Sequence, residues 1–284
     1  MVKIAFAPPE EREEIAQFMN TCFHKAKWGI DIWRRLLSGR WSGDDPRYAI
    51  TVRDGRRLVG VLGMIPVMRD TPKGPRRAIG LTSWYMMKEL RGQGAGAKMM
   101  ALASQNPDDT VTNFTSAKAA VPLVFRIGFE AIDEKRLIWH PHPDAGFRVH
   151  EDPLALGGRL SPIEQKIIAD HAGLGLRFCT VETPDGLCTV VLNPKRKHDA
   201  YVTHEVMYLG NQPLFAHYSR QIAGAVLPQR DAILSLDSRF GAKGVAPDEE
   251  GPLEVPRFAF RGLQEPSEID LLYTECVLLP VKLP

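Results

Sequence analysis

The chain has 284 residues, 44% of them hydrophobic and 25% charged, with a formal net charge of +2 at pH 7. That balance describes a globular chain long enough for two ordinary domains and excludes a disordered one. So small a charge argues against a protein built to hold nucleic acid, and no apolar run comes near the roughly 20 residues that cross a bilayer. Cys22, Cys179, Cys188 and Cys276 are scattered without C-x-x-C spacing. They suit a reduced cytoplasmic interior better than a disulfide framework, and no metal site is expected from them.

In chain order, residues 2–7 predict a first strand. Pro8-Pro9-Glu10-Glu11 then opens a helix, because proline is tolerated in the first turn and acids favour the positive end. This start reads as a strand running into an acidic helix and not as a signal peptide. Ile15, Phe18, Met19 and Cys22 share one helical face. A second short helix is predicted over 30–37, stopping at Gly39. Residues 48–52 and 58–67 predict a hairpin around Asp54-Gly55. Residues 78–87, rich in Ile, Leu, Thr, Trp and Tyr, suit a half-buried strand. After a glycine-rich turn, Ala97-Lys98-Met99-Met100-Ala101-Leu102-Ala103 is made of helix formers. Asn106-Pro107-Asp108-Asp109 ends that helix, and 110–115 predicts a strand. Residues 117–127 predict a helix broken or bent near Pro122, with Gly128 as a left-handed stop, and 129–139 returns as a strand.

His140 to Gly146 carries two prolines and reads as a surface linker. Ser161-Pro162-Ile163-Glu164 is a capping box with proline at the first helical position. Strands are expected over 177–182 and 187–192, joined by Pro184-Asp185-Gly186, and over 201–209. A helix over 213–226 follows, then strands near 232–236, 257–260 and 271–279.

The glycine turn, Arg91-Gly92-Gln93-Gly94-Ala95-Gly96, lies between a strand and a helix. That order points unpaired backbone N–H groups and the positive helix end at an anion, and glycines let a phosphate approach closely. Gly92-x-Gly94-x-x-Ala97 also fits the dinucleotide fingerprint. That fingerprint closes the first strand of a βαβ unit and needs an acid about 20 residues on, where this chain has Thr112.

Arg91, Gly94 and Gly96 in Arg-x-x-Gly-x-Gly resemble the coenzyme A pyrophosphate loop of the GNAT superfamily of N-acetyltransferases. Ala117-x-x-Ala120-x-x-Leu123-Val124-x-x-x-Gly128-Phe129 resembles the later helix-to-strand signature of the same family, in the expected order. The resemblance covers residues 1–140 and implies an α/β (α+β) fold, a GNAT-like mixed central sheet flanked by helices. The second half repeats the rhythm: a strand ends at Tyr208-Leu209-Gly210-Asn211-Gln212, then come a helix and a strand. The expected organisation is therefore two tandem lobes: 1–140 as an acetyltransferase domain, 141–160 as a linker, and 161–284 as an α+β domain. That last part reads as a degenerate GNAT-like lobe, with a capping or dimerising domain of another kind as the alternative.

In the family, the strand before the loop splays from the strand after it, and pantetheine lies in the gap. By resemblance, Met86 and Met87 supply its backbone contacts, and an N–H of one of them polarises the thioester. Arg91, Gly92, Gln93, Gly94, Ala95 and Gly96 hold the pyrophosphate, with Arg91 or Lys98 adding charge. The implied co-substrate is acetyl-CoA or another acyl-CoA, with acyl-carrier protein as an alternative donor and no metal. A small-molecule amine is the implied acceptor, and a homodimer is compatible with the sequence.

The chain departs from the family pattern at the acid and base. The family's thiolate-protonating tyrosine aligns with Val124, its frequent asparagine with Ala117, and no carboxylate lies between 78 and 87. Tyr85, Ser116 and Asn113 are the candidate replacements. Two other readings stay open, a non-catalytic acyl-CoA-binding regulatory protein and a protein N-acetyltransferase.

Overall fold

The computed structural model describes residues 2–26, 28–143, 146–197, 201–227, 231–241 and 243–281. They form two compact units, one over residues 2–131 with Arg257–Glu265 and Tyr273–Val281, the other of Ile132–Pro256 with Pro266–Leu272.

The first unit opens with β1 (Lys3–Phe6), α1 (Arg12–Cys22) and α2 (Ile30–Leu36). A 3₁₀ turn over Pro9–Glu11 leads into α1, which buries Ile15, Ala16 and Met19. Then come β2 (Ala49–Asp54), β3 (Arg57–Arg69), β4 (Arg76–Met86), α3 (Ala95–Ala103), β5 (Thr110–Asn113) and α4 (Val121–Arg126). Gly55, at φ 59, makes the turn between β2 and β3, a conformation that costs glycine nothing. β1 to β4 pair antiparallel in sequence order, and β4 pairs with β5 in parallel. Pro122 lies in the first turn of α4. There its missing N–H is no loss, and the expected break in the 117–127 segment falls just before it, between a 3₁₀ turn over Lys118–Ala120 and α4.

The second unit takes β6 (Glu130–Trp139) from Ile132 onward, then β7 (Arg148–His150), α5 (Pro162–Asp170), β8 (Arg177–Thr183), β9 (Gly186–Lys197), β10 (Tyr201–Leu209), α6 (Gln212–Val226) and β11 (Ala232–Asp237). Its strand order is β6-β11-β10-β9-β8-β7. The expected capping box is present in full: Ser161 Oγ accepts from the Glu164 N–H, and the Glu164 carboxylate accepts from the Ser161 N–H. Trp139 and Phe215 are fully buried and meet edge to face at 5.4 Å. Truncating such a ring to alanine typically costs about 3–5 kcal/mol. Among the described residues, no helix is long and apolar enough to cross a membrane.

The last elements are β12 (Glu249–Phe260) and α7 (Glu275–Leu278). β12 begins in the second unit, and its residues from Arg257 belong to the first, where Phe258, Ala259 and Phe260 pair antiparallel with Asn113, Thr112 and Val111 of β5. The units are thus drawn differently from the expected division at 140, because the end of the chain supplies β5 with its outer neighbour. The stretch 141–160, expected as a linker, holds β7 and a run of 3₁₀ turns at Pro153–Arg159. His140 and His142 are tied to Glu249 and Asp248 at 2.7 Å each.

The strand expected over 271–279 does not form. Residues 269–279 are all buried, and an apolar run buried all round carries no periodicity to separate strand from turn. Local polar groups decide it: Asp270 accepts from the Leu272 N–H, Tyr273 takes φ 58, and Thr274 caps α7 by accepting from the Cys276 N–H.

Candidate active site

The parallel pairing of β4 with β5 runs only over Ala78–Thr110, Ile79–Val111 and Gly80–Thr112. Beyond it the strands diverge. Residues from both strands and from the turn after β5 line a cavity of about 170 Å³, among them Leu81, Ser83, Asn113, Thr115 and Ser116, together with Phe23. β4 is also bulged here, because Val61 pairs with Tyr85 and Gly63 with Thr82, so Ser83 and Trp84 together face the single residue Leu62. Ser83 adopts φ 51, which is uncommon for a residue with a Cβ. Bulges re-aim side chains and release backbone groups from the ladder. The opening is therefore built into the sheet.

Four residues past β4 the chain enters the glycine turn. Gly92 and Gly94 lie at φ 78 and 81, with nothing within 4 Å of where a Cβ would be. Gly94 is the N-cap of α3, and the first helical bond runs from the Lys98 N–H to the Gly94 carbonyl. The N–H groups of Ala95, Gly96 and Ala97 are thus left without intrahelical partners at the positive end of the helix. This glycine-lined helix start, reached through the exposed residues 92–94, fits a pyrophosphate. Gly96 also has a packing role, since the Trp84 ring lies 2.6 Å from the position of a Cβ there. Arg91 does not reach toward the turn: its Nε donates to the Met86 carbonyl at 2.8 Å and its guanidinium lies over the Tyr85 ring. Gln93 Nε2 donates to the Glu89 carbonyl.

The expected residues divide. Asn113, buried at the end of β5, and Ser116 both line the cavity. Ser116 Oγ is buried without a hydrogen-bond partner among the described residues. Tyr85 is not in the lining; it packs edge-on against Phe18 and Phe23, within hydrogen-bonding reach of the Cys22 thiol. Met87 does not serve as expected, because its N–H donates to the Val59 carbonyl at 2.9 Å. Strand groups alternate between edges, so the Met86 N–H turns the other way, to the side from which Arg91 reaches the Met86 carbonyl. Val124, at the place of the family's tyrosine, is fully buried.

One carboxyl at this site has no local signal in the sequence. Glu275 of α7 is fully buried, and it accepts a 2.9 Å hydrogen bond from Oγ1 of Thr115, a cavity-lining residue. Burial pushes its carboxyl up to about 7, against the smaller opposing pull of backbone and Thr115 hydrogen bonds and of Arg257. Its Oε2 has no hydrogen-bond partner among the described residues. The segment carrying it is held by Tyr273, which packs edge-on against Trp41 and under Arg69, and by Arg35, which donates to the Leu278 carbonyl. Gly80, at the point where β4 leaves β5, makes room for Thr274, whose Cα would lie 3.4 Å from a Cβ there.

The second unit has the same opening and closes it. β10 and β11 pair in parallel only from Val202–Ala232 to Glu205–Ser235. Beyond that point the Leu271 N–H donates to the Met207 carbonyl at 3.0 Å, so the chain itself takes the strand edge. The start of α6 is also closed to anions: Pro213 has no N–H, and the Asn211 side chain accepts from the Leu214 N–H.

No protein-family model matches the chain, and no curated protein matches its sequence. Solved structures do match its fold. A GCN5-related N-acetyltransferase from Anabaena variabilis aligns over 91% of this chain and 72% of its own, with 13% identity and a TM-score of 0.59. A conserved Enterococcus faecalis protein described as a probable N-acyltransferase aligns over the same shares, with 13% identity and a TM-score of 0.56. A GCN5-related N-acetyltransferase from Kribbella flavida aligns over 91% of this chain and 70% of its own, with 10% identity and a TM-score of 0.52. The chain has the fold of these GCN5-related N-acetyltransferases.

Proposed function

We propose that the first unit is an acyl-CoA-dependent N-acyltransferase, moving an acetyl or acyl group onto the amine of a small-molecule acceptor by direct attack in a ternary complex. The observation that carries this reading is the open splay after Gly80 and Thr112, followed within the same unit by a free helix start at Gly94. The Gly92–Gly96 turn holds the pyrophosphate. The pantetheine arm runs along the freed edge of β4, where the Met86 N–H polarises the thioester carbonyl. The acceptor amine enters on the Phe23 side of the cavity. Holding both reactants in one cleft supplies much of the rate, because a positioned amine needs little more than deprotonation to attack a thioester.

Calorimetry with acetyl-CoA, longer acyl-CoAs and NADPH, followed by thiol detection across an amine panel, tests this. Acetyl-CoA binding that is lost in Gly94→Glu, with thiol release for at least one amine, is the expected result. Retained affinity in Gly94→Glu, or a preference for NADPH, overturns it. A second reading, a non-catalytic acyl-CoA-binding protein, is favoured by the buried Val124 where a proton donor is customary. It gives the same calorimetry with no thiol released by any amine.

A further inference from the structure

Acyl transfer to an amine needs a group to take a proton. An amine that binds as an ammonium must lose one before its lone pair can attack. The place where the resembling family carries its proton-donating tyrosine holds Val124 here, and no carboxylate lies between residues 78 and 87, where its base is expected. The cavity wall nevertheless has one hydroxyl backed by a carboxyl. Thr115 lines the cavity, and its Oγ1 donates to Glu275 Oε1. A hydroxyl that donates one bond still has lone pairs to accept another, so the Thr115 oxygen can take a hydrogen bond from an N–H in the cavity while its own proton points at Glu275.

We propose that Glu275, delivered to the first unit by the returning end of the chain, is the proton acceptor of the transfer reaction and acts through the Thr115 hydroxyl. This inference rests on the acyltransferase reading above. In the step, an ammonium proton passes to Thr115 Oγ1 as the Thr115 proton passes to Glu275 Oε1. The freed nitrogen lone pair forms the C–N bond, the C–S bond breaks, and its electron pair leaves on sulfur. The second proton lost by nitrogen neutralises the thiolate, and the Glu275 proton is later released to solvent. One ammonium and one thioester become one amide, one thiol and one released proton.

The surroundings suit the role. The Glu275 carboxyl titrates near 7, where a general base is both deprotonated enough and basic enough to work. Arg257 of β12 is the charged group acting on it through space, and its Nη1 also donates to the Phe114 carbonyl. The other charges on the packed elements are engaged elsewhere. Arg35 of α2 binds the Leu278 carbonyl, Arg34 pairs with Glu13 and Asp31, and Arg69 of β3 lies over Tyr273. On β4, Arg77 faces Asp45, and Arg76 bonds carbonyls of the β3–β4 turn. Tyr85 of β4 is turned to Phe18 and Phe23. Thr115 touches the reactants, and Glu275 works through it.

The test uses the full chain with an amine found by thiol release. Turnover is measured from pH 5.5 to 9 for the wild type, Glu275→Gln, Thr115→Val and Thr115→Ser, with acetyl-CoA affinity by calorimetry for each. Expected are a tenfold or larger loss of kcat in Glu275→Gln and Thr115→Val, and loss of the rising limb centred near pH 7. Acetyl-CoA affinity should stay within about twofold, and Thr115→Ser should recover most of the rate. The double variant should be no slower than the slower single one. A Glu275→Gln protein that keeps the limb and a rate within twofold of wild type overturns the proposal while leaving the acyltransferase reading intact. A wild type that binds no acyl-CoA overturns both. Equal losses in Thr115→Ser and Thr115→Val would also overturn it, since only the hydroxyl separates them.

Discussion

Replacing Glu275 by Gln removes an ionisable group from the interior of the first unit and changes its shape very little. In the folded chain the carboxyl titrates near 7 in place of its ordinary 4.5. The folded state therefore binds this proton more tightly than the unfolded state. Stability from the group is fully present below pH 4.5 and is lost as pH rises through 7. Tenfold in proton affinity is about 1.4 kcal/mol, so the wild type should lose roughly 3 kcal/mol across this window that Glu275→Gln does not. Denaturant unfolding of both proteins at half-unit steps from pH 4.5 to 8 reads this out, because subtracting the two curves cancels every other titrating group. The difference should grow in favour of the glutamine variant and level off above pH 7.5. A flat difference would show that Glu275 is solvated. A difference of the opposite sign would show that it is held as an anion by Arg257, and the proton-acceptor argument would lose its physical basis.

His204 of β10 gives the mirror case in the second unit. Burial depresses its imidazole to about 4, so stability should fall as pH drops from 6.5 toward 4, by up to roughly 3 kcal/mol; His204→Leu should flatten this acid limb in urea unfolding, and an unchanged limb would refute it. Gly96→Ala should destabilise the chain by about 1–2 kcal/mol, although alanine normally favours a helix, because the added Cβ meets the Trp84 ring; a raised denaturant midpoint would contradict that packing. Cys179, Cys188 and Cys276 are buried, and burial pushes the first two thiols up to about 12. Under native conditions a maleimide should label Cys22 first and slowly, as read by peptide mass, and rapid labelling of Cys179 would refute the burial.

What the sequence makes legible here is what local chemistry writes. Asp54-Gly55, Ser161-Pro162-Ile163-Glu164 and the turn from Arg91 to Gly96 each specify their geometry within a few residues, and each is found where expected. The alternation of Met86 and Met87 was not readable, because the bulge at Ser83 and Trp84 sets which N–H faces the ladder. The direction of Arg91 was not readable either. A guanidinium beside a glycine turn suggests a phosphate partner, but the Met86 carbonyl lies closer at hand. The largest gap is at the far end of the chain. Nothing near Glu275 in sequence marks it, since its partner Thr115 is 160 positions away, and its buried, apolar neighbours imitate a strand.

The stretch from Pro266 to Val281 belongs to both units in turn, covering the Met207 edge in the second and carrying Glu275 into the first. This denies the first unit the status of a portable module. A fragment ending near residue 140 keeps the glycine turn and the splay, yet leaves β5 with a bare edge and the Thr115 hydroxyl with nothing behind it. Swapping that fragment into another protein would transplant a motif without its chemistry. The two halves would have to be inherited, expressed and altered as one piece.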